Sequence, residues 1–223
     1  MTRNHVTLLS TALLSLVALS AQAAPRTFSA VPGANRNSGV SFSLDYTGGV
    51  HQGTVAAVSG TAVMQPEASF QIASARFVVA IQDLSTANVK RDCHMREALG
   101  LDYSTSIFPT QHVCGATNTL PTTGPNAIAF PNAIFTLDSI ENVAATEGVQ
   151  SFTANGTFEI HGVKQSVKVP MVLTLAQNGS KQLTITGDFS IKLADYGITV
   201  MPFLFITVAD TAQVKLNLTM QEN

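Results

Sequence analysis

Apolar and polar residues alternate along most of the chain, which is the period of a strand with one buried face. Turn sequences rich in glycine, proline and asparagine, such as Gly48-Gly49 and Asn178-Gly179, separate the alternating segments. The segments with this pattern are 40–44, 50–64, 70–84, 127–137, 152–160, 166–175, 183–191 and 214–220. The pattern predicts about eight strands in near-continuous antiparallel order.

One segment breaks the alternation and has the pattern of a short helix over residues 89–99. Ser85 or Thr86 is the expected N-cap, and Gly100 is the expected stop. The residues that follow, 102–127, are rich in Thr, Pro, Gly and Asn and show little periodicity. We predict a long insertion loop here, and long loops in compact domains are usually functional or disordered.

Two architectures fit this order of strands, a β-sandwich and an up-and-down barrel. Several segments exceed the usual strand length of about five to six residues, which favours the barrel. A barrel of about eight strands has room for one small ligand. The predicted fold is therefore all-β, an extended antiparallel barrel with one short helix and a long insertion.

The composition is unusually apolar, with 45% hydrophobic and only 12% charged residues. This excess is consistent with an apolar-lined cavity. The formal net charge is −2, and the longest basic cluster is Lys90-Arg91. The sequence therefore lacks the electrostatic footprint of a nucleic-acid-binding protein and of a protein that adheres to anionic lipid.

The N-terminus has the pattern of an export signal over residues 1–23. Arg3 and His5 precede an apolar run at 6–19, and Ala21-Gln22-Ala23 is a small-residue cleavage site. The run is shorter than the roughly 20 residues that span a bilayer as a helix. We expect cleavage rather than an uncleaved anchor, which leaves one domain, 24–223, in the periplasm or secreted.

The chain has two cysteines, Cys93 and Cys114. In an exported protein the default interpretation is one disulfide, which would pin the insertion to the helix. The alternative is a metal or redox-active site made of Cys93, His94, His112 and Cys114, because sulfur and imidazole suit zinc or copper. Its spacing is not a standard zinc pattern, and adjacent residues on a helix point about 100° apart.

Other candidate chemistry is sparse, and we expect no enzyme. There is no G-x-S-x-G nucleophile motif, no glycine-rich phosphate loop and no paired-carboxylate motif. His161 is expected to make a local hydrogen bond in a turn, and His51 to be an isolated surface residue. Arg91-Asp92 and Arg96-Glu97 are expected to form ion pairs. The alternative role for Arg91 is to hold the polar head of a ligand.

Two stretches carry a resemblance to a known family: TANVKRDCHMR at 86–96 and GTFEIHGVKQSVKVPMVLTL at 156–175. Together with FPNAIF at 130–135 and DYGI at 195–198, they resemble the YceI-like family of periplasmic lipid-binding proteins. The chain departs from that family's pattern at Asn37 and near Asp45, where histidines are usual, at Leu193, where arginine is common, and in the insertion.

The resemblance implies a lipocalin-like barrel with a long apolar pore and no established catalytic residues. It implies ligands such as polyisoprenoids, quinone-like lipids or fatty-acid amides, no other cofactor, transient membrane contact and frequent homodimers. Inward-facing residues would line the pore, with Arg91 at its mouth. The expected lining residues are Phe42, Phe77, Val79, Phe158, Ile160, Val169, Met171, Leu173 and Leu216.

The favoured hypothesis is thus a periplasmic carrier that holds one polyisoprenoid, quinone-like or fatty-acyl lipid. A metal- or redox-active enzyme at the cysteines and histidines is the first alternative. A ligand-free structural or stress-response β-protein with a filled core is the second.

Overall fold

The computed structural model describes residues 24–32, 38–65, 71–114, 118–176, 181–200 and 207–223. The expected export signal and the Asn178-Gly179 turn lie outside these ranges. The strands are β1 (Arg26–Ala30), β2 (Gly39–Tyr46), β3 (Gly49–Val55), β4 (Val58–Met64), β5 (Ile72–Ala80), β6 (Asn132–Thr146), β7 (Val149–Ile160), β8 (Val163–Leu175), β9 (Gln182–Lys192) and β10 (Val208–Glu222). One α-helix, α1 (Val89–Gly100), and two short 3-10 helices, Ile81–Asp83 and Leu193–Tyr196, complete the described elements.

Eight strands close into an antiparallel barrel in the order β1, β4, β5, β6, β7, β8, β9 and β10, and β10 returns to β1. The closing pair is short, with Phe28 opposite Glu222 and Ala30 opposite Met220. Closure confirms the barrel and excludes the sandwich. Within the described residues, no helix is both long enough and apolar enough to cross a membrane.

The hairpin of β2 and β3 adds to the barrel wall beyond the ends of strands β1 and β4. β2 pairs with β10 from Val208 to Asn217, next to the part of β10 that β1 occupies. β3 and β4 were predicted as one segment, but the strand breaks at Ala56-Ala57. Beyond the end of β5, Thr54 of β3 exchanges backbone hydrogen bonds of 2.8 and 2.9 Å with Ser85. The chain therefore leaves the barrel wall at this point and enters the helix.

One end of the barrel is solidly packed. Leu218 of β10 lies opposite Ile185 of β9, which in turn lies opposite Leu173 of β8, and all three side chains are buried. Phe28 from β1 and Met64 from β4 are buried as well. Close packing of this kind fills the lumen with side chains. The apolar cavity lies toward the other end, where α1 is attached.

The helix begins at a different cap from the one expected. The Asn88 side chain accepts a hydrogen bond of 3.0 Å from the Arg91 backbone N–H, so Asn88 is the N-cap and the prediction of Ser85 or Thr86 was wrong. Thr86 instead donates from its backbone N and its Oγ1 to Asp92 Oδ1, both at 2.6 Å. The helix ends at Gly100, as expected. A Cβ on Gly100 would lie 2.8 Å from Leu120 Cδ1, so glycine allows the insertion to pack closely against the end of the helix.

The insertion contains no helix or strand over its described residues, 102–114 and 118–127. It nevertheless has a small core of its own, in which Leu101, Phe108 and Leu120 are buried. Tyr103 and Val113 pack against them. The long insertion loop is thus packed around a small core of its own.

The hairpin between β7 and β8 turns at His161-Gly162, as predicted. Both residues have positive φ, +54° and +74°, the combination that a two-residue type I′ turn requires. Glycine is further required at Gly162, because a Cβ there would lie 2.6 Å from the Phe130 ring. The turn places His161 beside the end of α1.

Candidate ligand-binding site

A cavity of about 480 Å³ occupies the end of the barrel next to α1. This volume is within the range of about 300–1,000 Å³ that is typical of small-molecule sites. Strands, helix and insertion all contribute to its wall, which is mainly aliphatic and aromatic. The large apolar side chains that line it are Val40, Phe42, Leu44, Val55, Phe77, Val79, Ile81, Leu84, Met95, Leu99, Phe108, Phe135, Phe158, Ile160, Met171, Phe189, Ile191, Leu193, Ile198, Val200, Val208, Val214 and Leu216.

Most of the residues expected to bind ligand lie on this wall, although ligand binding by them stays a prediction. The expected residues that line the cavity are Phe42, Phe77, Val79, Phe158, Ile160, Met171, Leu216 and Arg91. Val169 and Leu173 are not on the wall and are fully buried in the core cluster. Leu173 lies opposite Ile185 in the packed end, and Val169 lies opposite Ala154. The alternation had placed these two on the inward face, where they pack against other side chains.

Two glycines leave room for aromatic rings on the barrel wall. Gly53 lies directly across from Phe42, and a Cβ on Gly53 would be 2.2 Å from the Phe42 ring. A Cβ on Gly156 would likewise lie 2.7 Å from the Phe135 ring. Each ring therefore packs over a neighbouring glycine. Such packing compensates for the lower stability of a strand at a glycine position. The strand pattern in the sequence did not predict this pairing of glycine and ring.

The polar part of the wall is formed by Arg91, Thr199 and three histidines, His51, His94 and His112. Among the described residues, no hydrogen bond or ion pair engages the Arg91 guanidinium, and the expected pair with Asp92 is absent because Asp92 accepts from Thr86. His51 stacks on Tyr46 with ring centroids 4.0 Å apart. Burial, and then the charge of Arg91, lowers the pKa of His51 below its usual value. The expectation of an isolated surface histidine was wrong.

Arg96 and a disulfide fix the helix and the insertion in place over this end of the barrel. Arg96 donates to the carbonyl oxygens of Asn118 at 2.7 Å and Leu84 at 2.6 Å, so the expected ion pair with Glu97 does not form. The predicted disulfide between Cys93 and Cys114 is confirmed. The disulfide ties the insertion to α1, and Arg96 ties α1 both to the insertion and to the segment that follows β5.

The disulfide is incompatible with Cys93 and Cys114 as metal ligands in the four-residue site considered as an alternative. Among the described residues no cysteine is free, so Cys93 and Cys114 offer no thiolate. The two histidines of that set do meet, with ring centroids 4.0 Å apart for His94 and His112. Burial first, and then the neighbouring His112, lowers the pKa of His94.

Glu97 joins these two histidines and was missed in the sequence. Its side chain is completely buried, and Oε1 accepts hydrogen bonds from the backbone N–H groups of Val113 and Cys114. Oε2 lies 3.0 Å from His112 Nδ1 and 3.8 Å from His94 Nδ1. A buried carboxylate is rare unless it is paired, so the i, i+3 spacing of His94 and Glu97 was the one available signal.

His161 is a structural residue rather than a local turn histidine. It is buried, with Nε2 2.9 Å from the Leu101 carbonyl oxygen and Nδ1 3.3 Å from that of Tyr196. Its ring also packs against Tyr103 and Phe130. These partners are far away in sequence, so the expected local hydrogen bond was wrong. His161 holds the β7–β8 hairpin to the end of α1.

An antiparallel eight-stranded barrel that is packed at one end and hollow and apolar at the other defines a small-ligand-binding barrel. The sequence matches the family model described as YceI-like domain over residues 34–220, and the chain belongs to this family. The family resemblance drawn from the sequence is therefore confirmed. No curated protein matches the chain.

Solved structures with the same fold share little sequence with this chain. A polyisoprenoid binding domain from Saccharophagus degradans is 14% identical, with 88% of this chain and 98% of that chain covered and a TM-score of 0.54. Burkholderia cenocepacia BcnA is 20% identical, with 81% and 94% covered and a TM-score of 0.54. A mutant Campylobacter jejuni YceI protein with a monobromobimane guest is 16% identical, with 78% and 85% covered and a TM-score of 0.52.

Proposed function

We propose that this protein binds one long apolar molecule, a polyisoprenoid, quinone-like or fatty-acyl lipid, in the cavity beneath α1, and that it binds rather than catalyses. The observation that carries the proposal is the wall of the cavity, which is aliphatic and aromatic from β2 to β10. Membership of the YceI-like family and the polyisoprenoid-binding neighbour support the same class of ligand.

The energetics of such binding need few polar contacts. Each methylene group transferred from water to an apolar wall contributes about 0.8 kcal/mol. An apolar chain can therefore be held along the barrel by area alone, after the cost of ordering it is met. Arg91 is the one arginine among the described residues of the wall, and it would hold an acidic or polar head group.

The proposed location is the periplasm or the exterior, and the supporting observation is the export-signal pattern at residues 1–23. Such a location would let the protein exchange lipid with a membrane through transient contact. Subcellular fractionation of the native host tests this part. Protein with an intact N-terminus in the cytoplasmic fraction would contradict it.

Binding is tested by titrating delipidated protein with a naturally fluorescent polyene fatty acid. We expect saturable binding of one probe per chain. Geranylgeraniol and palmitic acid serve as the isoprenoid and acyl competitors, and glucose is the polar control. Displacement by either long-chain compound supports the proposal, and the stronger competitor identifies the class. Absence of saturable probe binding would contradict it.

A further inference from the structure

A cluster of three metal-ligating side chains lies at the polar edge of the cavity, where two of them, His94 and His112, line it. His94 and Glu97 lie one turn apart on α1, and His112 comes from the insertion. Their donor atoms all lie within 4.8 Å of one another. Glu97 Oε2 is the shared centre, 3.0 Å from His112 Nδ1 and 3.8 Å from His94 Nδ1.

The two distances to Glu97 Oε2, 3.0 and 3.8 Å, lie on either side of the ligand separation in a tetrahedral metal site. Bonds of about 2.0–2.2 Å from zinc to nitrogen and oxygen place neighbouring ligand atoms roughly 3.3–3.5 Å apart. The two imidazoles are about half exposed, at 48% for His94 and 59% for His112, so small rotations would bring their nitrogens to the required positions. The Glu97 carboxylate, which is completely buried, would stay where it is.

The Glu97 carboxylate is already oriented for metal binding. Oε1 of Glu97 is taken by two backbone N–H groups, from Val113 and Cys114, which leaves Oε2 directed at the histidines. Hydrogen bonds to the remote oxygen of a ligating carboxylate are the supporting contacts that metal sites use to fix their ligands.

The disulfide holds the two halves of the cluster together. Cys93 precedes His94 on α1, and Cys114 lies two residues after His112 in the insertion. The bond between them therefore keeps the insertion histidine beside the helix histidine. The sulfurs stabilise the arrangement and are not themselves ligands.

We propose that His94, Glu97 and His112 bind one divalent transition-metal ion of the zinc type, through two nitrogens and one oxygen. Three protein ligands leave one tetrahedral position for water or for an anionic group. Because both histidines also line the cavity, the ion would stand at the edge of the lipid site. This site differs from a cysteine–histidine site in its donors and in its dependence on Glu97.

The test is calorimetric titration of chelator-treated, disulfide-intact protein with Zn²⁺ alone, without lipid. We expect one ion per chain. His94→Ala and His112→Ala should each weaken binding by at least about tenfold, because each removes one of three ligands. Gln111→Ala, an exposed neighbour of His112 in the insertion, is the matched control and should leave Zn²⁺ affinity unchanged.

A second readout uses Co²⁺ in place of Zn²⁺. We expect visible absorption of a four-coordinate nitrogen and oxygen site, without the near-ultraviolet bands of thiolate ligation. Two results would overturn the proposal: no stoichiometric Zn²⁺ binding by the intact protein, or unchanged affinity in the His94→Ala/His112→Ala double variant. Because both histidines are exposed, circular dichroism should show that the variants keep the native fold.

Discussion

A bulky side chain placed inside the cavity should block the proposed ligand without unfolding the barrel. Ala133 on β6 lines the cavity, lies opposite Val79 of β5 and is 5% exposed. In Ala133→Phe the added ring would point into the lumen and take the space of ligand atoms. Because the ring enters existing space, the barrel should tolerate it better than it would a substitution in the packed end.

The size of the effect follows from the displaced apolar contact. A phenyl ring takes the place of roughly four methylene groups, which at about 0.8 kcal/mol each is about 3 kcal/mol of binding free energy. This corresponds to a roughly 200-fold rise in the dissociation constant. The assay is the polyene fatty-acid titration, with a thermal melt of each variant to show that the fold is retained.

The matched control is Ala145→Phe, the same substitution at an exposed position of the same strand. It should bind the probe as the parent protein does. Ala98→Phe blocks the cavity from the helix side and gives an independent second variant. If both Ala133→Phe and Ala98→Phe stay folded and bind the probe with unchanged affinity, the cavity is not the lipid site and the reasoning fails.

Three further predictions concern the cover, the head group and the core. The double variant Cys93→Ser/Cys114→Ser removes a link with a sequence separation of 21, which should lower the free energy of unfolding by about 3 kcal/mol. Hydrogen-exchange mass spectrometry should show the loss of protection mainly over 102–127, and ligand exchange should become faster. Equal loss of protection throughout the barrel strands would contradict this prediction. Arg91→Met should weaken a fatty acid about tenfold by removing a charged hydrogen bond and leave a long-chain alcohol unaffected, as measured by competition titration; equal weakening of both would argue against a head-group contact. Gln150→Met should raise the free energy of unfolding, measured in urea, by about 1–3 kcal/mol. The reason is that the Gln150 amide is fully buried and has no hydrogen-bond partner among the described residues. A destabilised variant would show that the amide does form hydrogen bonds in solution.

The overall fold was predictable because apolar and polar residues alternate with the two-residue period of a β-strand. Alternation in 152–160 and 166–175, joined at His161-Gly162, specified the β7–β8 hairpin with its turn. The disulfide followed from the cysteine count and the expected compartment. β1 was missed because Arg26–Ala30 has only two apolar positions, Phe28 and Ala30, and it is held by its neighbours β4 and β10.

The site was less predictable because it depends on where the barrel is filled. Val169, Met171 and Leu173 alternate identically in the sequence, yet only Met171 reaches the cavity. The difference is set by side chains of other strands, such as Ile185 opposite Leu173, that occupy the lumen. Glu97 was missed for a similar reason, since its partners in the insertion lie 15 to 17 residues away and have no periodic relation to the helix.

The central claim is that the cavity beneath α1 holds a long apolar molecule. Native mass spectrometry of protein isolated without detergent, followed by organic extraction and lipid identification, tests it most directly. We predict a mass increment of one lipid per chain, an extracted isoprenoid, quinone-like or acyl compound, and loss of that increment in Ala133→Phe. A parent protein that carries no lipid, and that takes up neither geranylgeraniol nor palmitic acid when they are supplied, would contradict the account.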